Sequence, residues 1–209
     1  MSDIEESNTA RLKRVVRARV EELQEGYLRD RSSAVAALAQ LRHGVAKPIG
    51  DDPLLIGLTV ADLYEEGDNV RSEPSYAEKA AYAAITLYAV HQQSKRDPSK
   101  RDPRMHQAGN SFGRSAGLLW IRPGDEKAVR RRFEALATAS TLEGSLHHAR
   151  GLIQQFRSKD IPLDYVKFAE DLYWLQTSAA NRVRRRWGID FYRAAQSHEQ
   201  GTGDDAEKN

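Results

Sequence analysis

The chain has 209 residues, 40% of them apolar and 30% charged, with a formal net charge of +2; that is enough apolar matter for the core of one large or two small domains. It contains no cysteine, which excludes a disulfide framework and thiolate zinc sites and points to a reducing, cytoplasmic compartment. The small net charge hides an asymmetry, because residues 1–90 carry 11 Lys+Arg against 15 Asp+Glu while residues 91–209 carry 21 against 15, so a polyanion meets the second half first.

In chain order, the opening M-S-D-I-E-E-S-N has neither the basic nor the apolar region of a signal peptide, and no apolar run approaches the roughly 20 residues that cross a bilayer. Ser7, Asn8 or Thr9 is expected to cap a first helix whose Leu12, Val15, Val16, Val20, Leu23 and Tyr27 recur at helical spacing. A second helix is expected from about Ser33 to His43, ending at Gly44, the residue type suited to a left-handed turn. Pro48, Pro53, Gly57, Gly67 and Pro74 leave room only for short helices in the next 30 residues.

Pro74, placed at a first turn, opens a longer helix with Tyr76, Ala80, Ala83, Ala84, Leu87 and Val90 along its buried side. A basic loop follows, and then a helix from about Ser111 to Trp120 that stops at Pro123-Gly124. Asp125 is expected to cap the next helix, with Val129, Phe133, Leu136 and Ala137 as its stripe; Thr141 starts another, carrying Leu142, Leu146, Ala149, Ile153 and Phe156. Pro162 interrupts, Asp164 caps a helix with Val166, Ala169, Leu172 and Tyr173 facing inward, and the last helix has Val183, Trp187 and Phe191 four apart.

No sustained period-two alternation of β-branched and aromatic residues is present. The predicted fold is all-α, with about eight to nine helices arranged as two small bundles or one elongated unit. The expected organisation is a flexible acidic tail over 1–7, an N-terminal helical part over 8–90, a basic C-terminal helical part over 91–196 and a disordered tail over 197–209.

Three groups of residues bear on function. Residues 91–114 hold six Lys/Arg, two Pro and two Gly; a charged run is often only a solvated connector, but a loop of this length in a compact domain favours a role. Arg130-Arg131-Arg132 and Arg182, Arg184, Arg185, Arg186 are the second and third clusters. Successive helical residues fan out by about 100°, so no such run shares one face, and some members are expected to pack or to pair with carboxylates. Gly109-Asn110-Ser111-Phe112-Gly113-Arg114 lacks the G-K-[ST] ending of a phosphate loop and has no strand before it; it reads as a helix start capped by Asn110 or Ser111, with Gly113 admitting a close neighbour. Its N-terminus is also a favourable place for a phosphate.

His147-His148 do not have the spacing of helical zinc ligands, and Asp51-Asp52, Glu65-Glu66 and Asp125-Glu126 fall in loops or first turns, where acids offset the helix dipole. No catalytic residue, metal or cofactor is expected. Trp120, Trp174 and Trp187 share the apolar spacing of their neighbours and are expected in the core rather than stacked on bases.

Several short segments, taken together in order, resemble a known family. They are Leu41-Arg42-His43-Gly44; Leu87-Tyr88-Ala89-Val90-His91-Gln92-Gln93; Met105 through Arg114; Arg131-Arg132-Phe133-Glu134-Ala135-Leu136; and Ile161-Pro162-Leu163-Asp164-Tyr165. Over about residues 12–196 the chain resembles the CasB family, the small subunits of the type I-E CRISPR Cascade surveillance complex. The resemblance implies an all-helical, non-catalytic protein that works in antiviral defence beside guide RNA and target DNA. It also implies contacts with the backbone and large subunits and with a second copy of itself, and a role in holding the guide–target duplex and the displaced strand of the R-loop.

Carried over by position, Arg42, Arg114, Arg131 and Arg132 are the best candidates for nucleic-acid contact. Lys95, Arg96, Lys100, Arg101 and Arg104 join them as a group, since the loop that bears them does not align residue by residue. The alternative reading is a stand-alone helical nucleic-acid-binding regulator, which would need a recognition helix joined by a tight turn.

Overall fold

The computed structural model describes residues 3–204 except 46, 66, 98, 100, 101, 123 and 125, with side chains over 7–197. Among the described residues there are nine α-helices and no strand: α1 (Asp3–Leu28), α2 (Ser32–His43), α3 (Pro53–Thr59), α4 (Tyr76–Gln92), α5 (Phe112–Trp120), α6 (Glu126–Thr138), α7 (Leu142–Ser158), α8 (Tyr165–Trp174) and α9 (Ala180–Asp204), with a 3-10 turn at Ala61–Leu63. The all-α expectation holds. No described helix is long and apolar enough to cross a membrane.

The caps follow the side-chain chemistry closely. Asp52 accepts from Leu54 N at 3.0 Å ahead of Pro53, and Thr141 accepts from Gly144 N. Asp164 accepts from Val166 N and Lys167 N. Each oxygen satisfies amides that a helix start leaves without partners. Pro74 does not open α4 as expected. Ser75 is the cap, forming a reciprocal box in which Glu78 N reaches Ser75 Oγ and Ser75 N reaches Glu78 Oε2 at 2.8 Å. Asp125, the expected cap of α6, lies outside the described residues.

The ends of the chain also differ from expectation. α1 starts at Asp3 rather than at a Ser7–Thr9 cap, and α9 runs to Asp204 rather than giving way near 196. Gly44 does not turn left-handed; its φ is −77°. Glycine is needed there for room, since a Cβ would meet Leu55 Cδ1 at 2.6 Å and the Tyr82 hydroxyl at 3.0 Å.

α4 is the central element. From Ala80 to Gln92 every residue is buried, because α1, α2, α7 and α8 pack around it; its alanines let those helices approach on all sides rather than on one stripe. A single cluster of buried apolar residues extends from Leu12 on α1 to Phe191 on α9. Trp174 and Trp187 are core residues, and Trp120 is half-buried against Phe191, with ring centroids 5.2 Å apart.

α5 and α9 cross with their backbones nearly touching. A Cβ on Gly113 would lie 2.2 Å from Trp187 O, and one on Gly117 would lie 2.3 Å from Phe191 O. The close neighbour expected at Gly113 is therefore α9, and Gly117, four residues on, extends the same contact.

Candidate functional site

Three of the segments that carry the resemblance, residues 87–93, 105–114 and 161–165, meet in the fold, and several of their polar groups bond to one another. At the end of α4 the buried Gln92 amide receives Met105 N at 3.1 Å and donates to the carbonyls of Lys95 at 2.7 Å and Pro103 at 2.8 Å. One side chain thus ties both ends of the basic loop to the core. Met105-His106-Gln107 then runs beside Leu163, with Leu163 N to Met105 O at 3.0 Å and Gln107 N to Leu163 O at 3.2 Å. Gln24 of α1 closes the other side, pairing with the backbone N and O of His106.

Tyr165 is the hub beneath this loop. Its backbone N donates to His106 Nδ1 at 3.1 Å, and its hydroxyl lies 3.0 Å from His91 Nδ1 and 3.3 Å from Leu87 O. Burial pushes His91 down to about 3, so its imidazole is neutral at physiological pH; burial also lowers His106, against the opposing charge of Asp164. Burial raises Tyr165 well above its ordinary value. His91 and Tyr165 are thus both neutral at physiological pH, and their hydrogen bonds build the platform under the loop.

The basic loop is less open than its composition implies. Lys95 Nζ pairs with Asp160, and the Arg96 guanidinium reaches Asp30 Oδ1 at 2.6 Å while lying 4.5 Å from the centre of the Tyr27 ring. Arg104 faces solvent beside Asp102 at 3.4 Å. Lys100 and Arg101 lie outside the described residues.

The far end of the segment is different. Ser111 caps α5 through Arg114 N, and its hydroxyl donates to Asp190 Oδ2 of α9 at 2.6 Å, while Gly109 N donates to Asp164 Oδ2 at 2.9 Å. The protein's own carboxylates thus occupy the approach to this helix start, and what remains open to a phosphate is the exposed Arg114 side chain one turn in. On α6, Arg130 pairs with Glu134 at 2.8 Å, whereas Arg131 and Arg132 are exposed and have no ion pair among the described residues. Arg132 lies across Gly151 of α7, where a Cβ would meet its guanidinium at 2.9 Å. Arg42, in the last turn of α2, is half-buried and likewise without an ion pair among the described residues.

The third arginine run is mostly consumed by packing. Arg184 donates to Ala139 O at 2.7 Å, Arg186 pairs with the fully buried Asp171, and Arg182 lies 5.5 Å from the centre of the Trp174 ring. Trp187 Nε1 donates to the second Asp171 oxygen at 2.6 Å. Burial nevertheless pushes Asp171 up to about 6, with Arg186 and Trp187 pulling the other way. Of this run only Arg185 is exposed and without a partner among the described residues.

Sequence reasoning passed over Arg150. It is exposed on α7 beside a groove of about 790 Å³ whose floor includes Tyr82, Leu87 and Leu146 and whose rim includes Lys47, Lys79 and His147. Its signal was present: position 150 lies one turn after Leu146, on the flank of the apolar stripe of Leu142, Leu146, Ala149 and Ile153, where a basic side chain borders the packed face.

Comparison with known proteins gives a consistent picture. A family model described as CRISPR-associated protein Cse2 matches residues 37–192. The chain is similar to the crystal structure of CasB from Thermobifida fusca, with 36% identity and a TM-score of 0.70 over 86% of this chain and 97% of that one. M. ruber CasB shares the fold at 24% identity and a TM-score of 0.63, over 87% and 97% of the two chains. No curated protein matches.

Proposed function

From the premise that this chain belongs to the CRISPR-associated Cse2 family, which makes it a Cascade subunit, we propose that it is a non-catalytic contact surface for nucleic-acid backbone, stabilising the guide–target duplex and the displaced strand of the R-loop. In guide-directed recognition base pairing reads the sequence and protein grips backbone and shape. The exchange of DNA duplex for heteroduplex is nearly balanced, so a few phosphate contacts tip it. The observation that carries the reading is that Arg114, Arg131 and Arg132, three of the exposed arginines in the basic half of the chain, have no carboxylate partner among the described residues. Guanidinium groups free of internal carboxylates are available to phosphate oxygens, which they bind with charge and paired donors. Arg42 and the group Lys95, Arg96, Lys100, Arg101 and Arg104 complete the surface in this reading, in the cytoplasm and beside a second copy of the chain, guide RNA and the backbone and large subunits.

Four to six backbone contacts to a single strand would add about −3 to −4 to the slope of log K against log salt. The test is charge reversal of Arg114, Arg131 and Arg132 together within the assembled complex. R-loop lifetime at moderate salt is expected to fall at least tenfold with assembly intact; an unchanged lifetime overturns the reading. Native purification is expected to recover the chain with a repeat-derived RNA and further subunits, which a stand-alone regulator would lack.

A further inference from the structure

The two cations at the near end of the basic loop are held by acids in unfavourable places. Asp30 and Asp160 follow the C-termini of α1 and α7, where the helix dipole disfavours negative charge. Both adopt left-handed backbone, with φ of 56° and 54°, a conformation that suits glycine or asparagine. Ser94, at the end of α4, is left-handed too, with φ of 62°, and its N donates to the Tyr27 hydroxyl at 3.2 Å. Three helix ends therefore converge on Ser94-Lys95-Arg96, and the two aspartates there gain their compensation from Lys95 and Arg96.

We propose that Asp30 and Asp160 are placeholder anions: they latch Arg96 and Lys95 against the body of the protein, and the phosphates of an incoming strand displace them. This rests on the backbone-binding reading above and names its regulation. The Arg96–Asp30 pair, whose aspartate is 71% exposed, is of the weak, solvent-screened kind that yields to competing anions; the Lys95–Asp160 pair, 22% and 32% exposed, is the firmer of the two and yields after it. Gln92 fixes both ends of the loop, so released cations stay at the surface rather than drifting away. Arg114, Arg131 and Arg132 engage first in this scheme, and the latched pair adds its contacts only once phosphate is close.

The test is binding of a fluorescein-labelled single-stranded DNA oligonucleotide to the full chain by anisotropy, over a series of salt concentrations. Asp30→Asn with Asp160→Asn suits the left-handed backbone and so keeps the fold, which circular dichroism checks. Binding is expected to tighten about tenfold at low salt, and the salt slope to steepen by about 1.4, for two contacts at about 0.7 each. Adding Lys95→Ala and Arg96→Ala to that variant is expected to abolish the gain. Glu21→Gln with Glu143→Gln changes net charge equally at exposed acids outside the latch and is expected to do much less. Equal gains from the two charge-matched variants, or unchanged binding by the Asp30/Asp160 variant, overturn the latch and leave the backbone-binding reading standing. Absence of binding by every protein overturns both.

Discussion

The arginine runs of α6 and α9 are alike in composition and opposite in use. On α6, Arg130 is paired along its own helix with Glu134, and Arg131 and Arg132 reach the surface without carboxylate partners among the described residues. On α9, Arg182, Arg184 and Arg186 are engaged by Trp174, the Ala139 carbonyl and buried Asp171, leaving Arg185 as the exposed member of the run without such a partner among the described residues. The difference lies in what each helix packs against. α9 crosses α5 with backbones in contact at Gly113 and Gly117, and it meets α8 at Asp171, so Arg184 and Arg186 are drawn into contacts with protein. α6 packs on α7 and α5 through Val129, Phe133 and Leu136 and leaves the remaining faces to solvent. An arginine run is thus a reservoir whose members are assigned by the neighbours they meet.

This contrast breaks most readily at Asp171. Asp171→Ala leaves Trp187 Nε1 and the Arg186 guanidinium without their shared acceptor, and unfolding free energy is expected to fall by about 3–4 kcal/mol in urea titration. The next effect depends on pH. Burial raises Asp171 from 3.8 to about 6 in the folded protein, so its stabilising contribution is full below 3.8 and is lost as pH rises through about 6. The stability of Asp171→Asn minus that of wild type is therefore expected to climb by about 2–3 kcal/mol between pH 3.8 and 6. His91, lowered from 6.5 to about 3, works in the opposite sense: its contribution is full above 6.5 and is lost as pH falls. Because both proteins carry it, it cancels in the difference.

Smaller changes sharpen the comparison. Arg184→Ala removes the bond to Ala139 O and is expected to cost about 1 kcal/mol in thermal or chemical denaturation while leaving the salt slope of oligonucleotide binding alone. Arg131→Glu with Arg132→Glu is expected to do the reverse. Stability stays within about 0.5 kcal/mol of wild type and the salt slope weakens by about 1.4. A salt slope that moved with Arg184 and not with Arg131 and Arg132 would invert the assignment of the two runs.

Much of the fold was legible because its signals are local. Helical periodicity marked the stripe of α1 and the Val183, Trp187 and Phe191 series of α9; cap chemistry narrowed the start of α5 to Asn110 or Ser111, of which the structure uses Ser111, and located those of α7 and α8 at Thr141 and Asp164. Gly44 misled because glycine has two uses, and sequence alone does not separate a left-handed turn from a need for space. Pro74 misled for a related reason: the capping box of Ser75 and Glu78 one residue later supplies the helix start. The candidate site was less legible. A lysine in a loop has the same sequence signature whether it faces water or an aspartate 65 residues away, as Lys95 faces Asp160.

By itself, then, the amino-acid sequence determined the all-α class, most helix starts, the core tryptophans and, through an ordered set of short motifs, the family. These depend on spacing and on bonds within a few residues. Only the tertiary structure decided which cations are free, because that depends on which carboxylate, carbonyl or ring a distant element brings alongside. Asp30, Asp160, Ala139 and Asp171 claim Arg96, Lys95, Arg184 and Arg186, and none of these pairings can be read from the residues next to them in sequence.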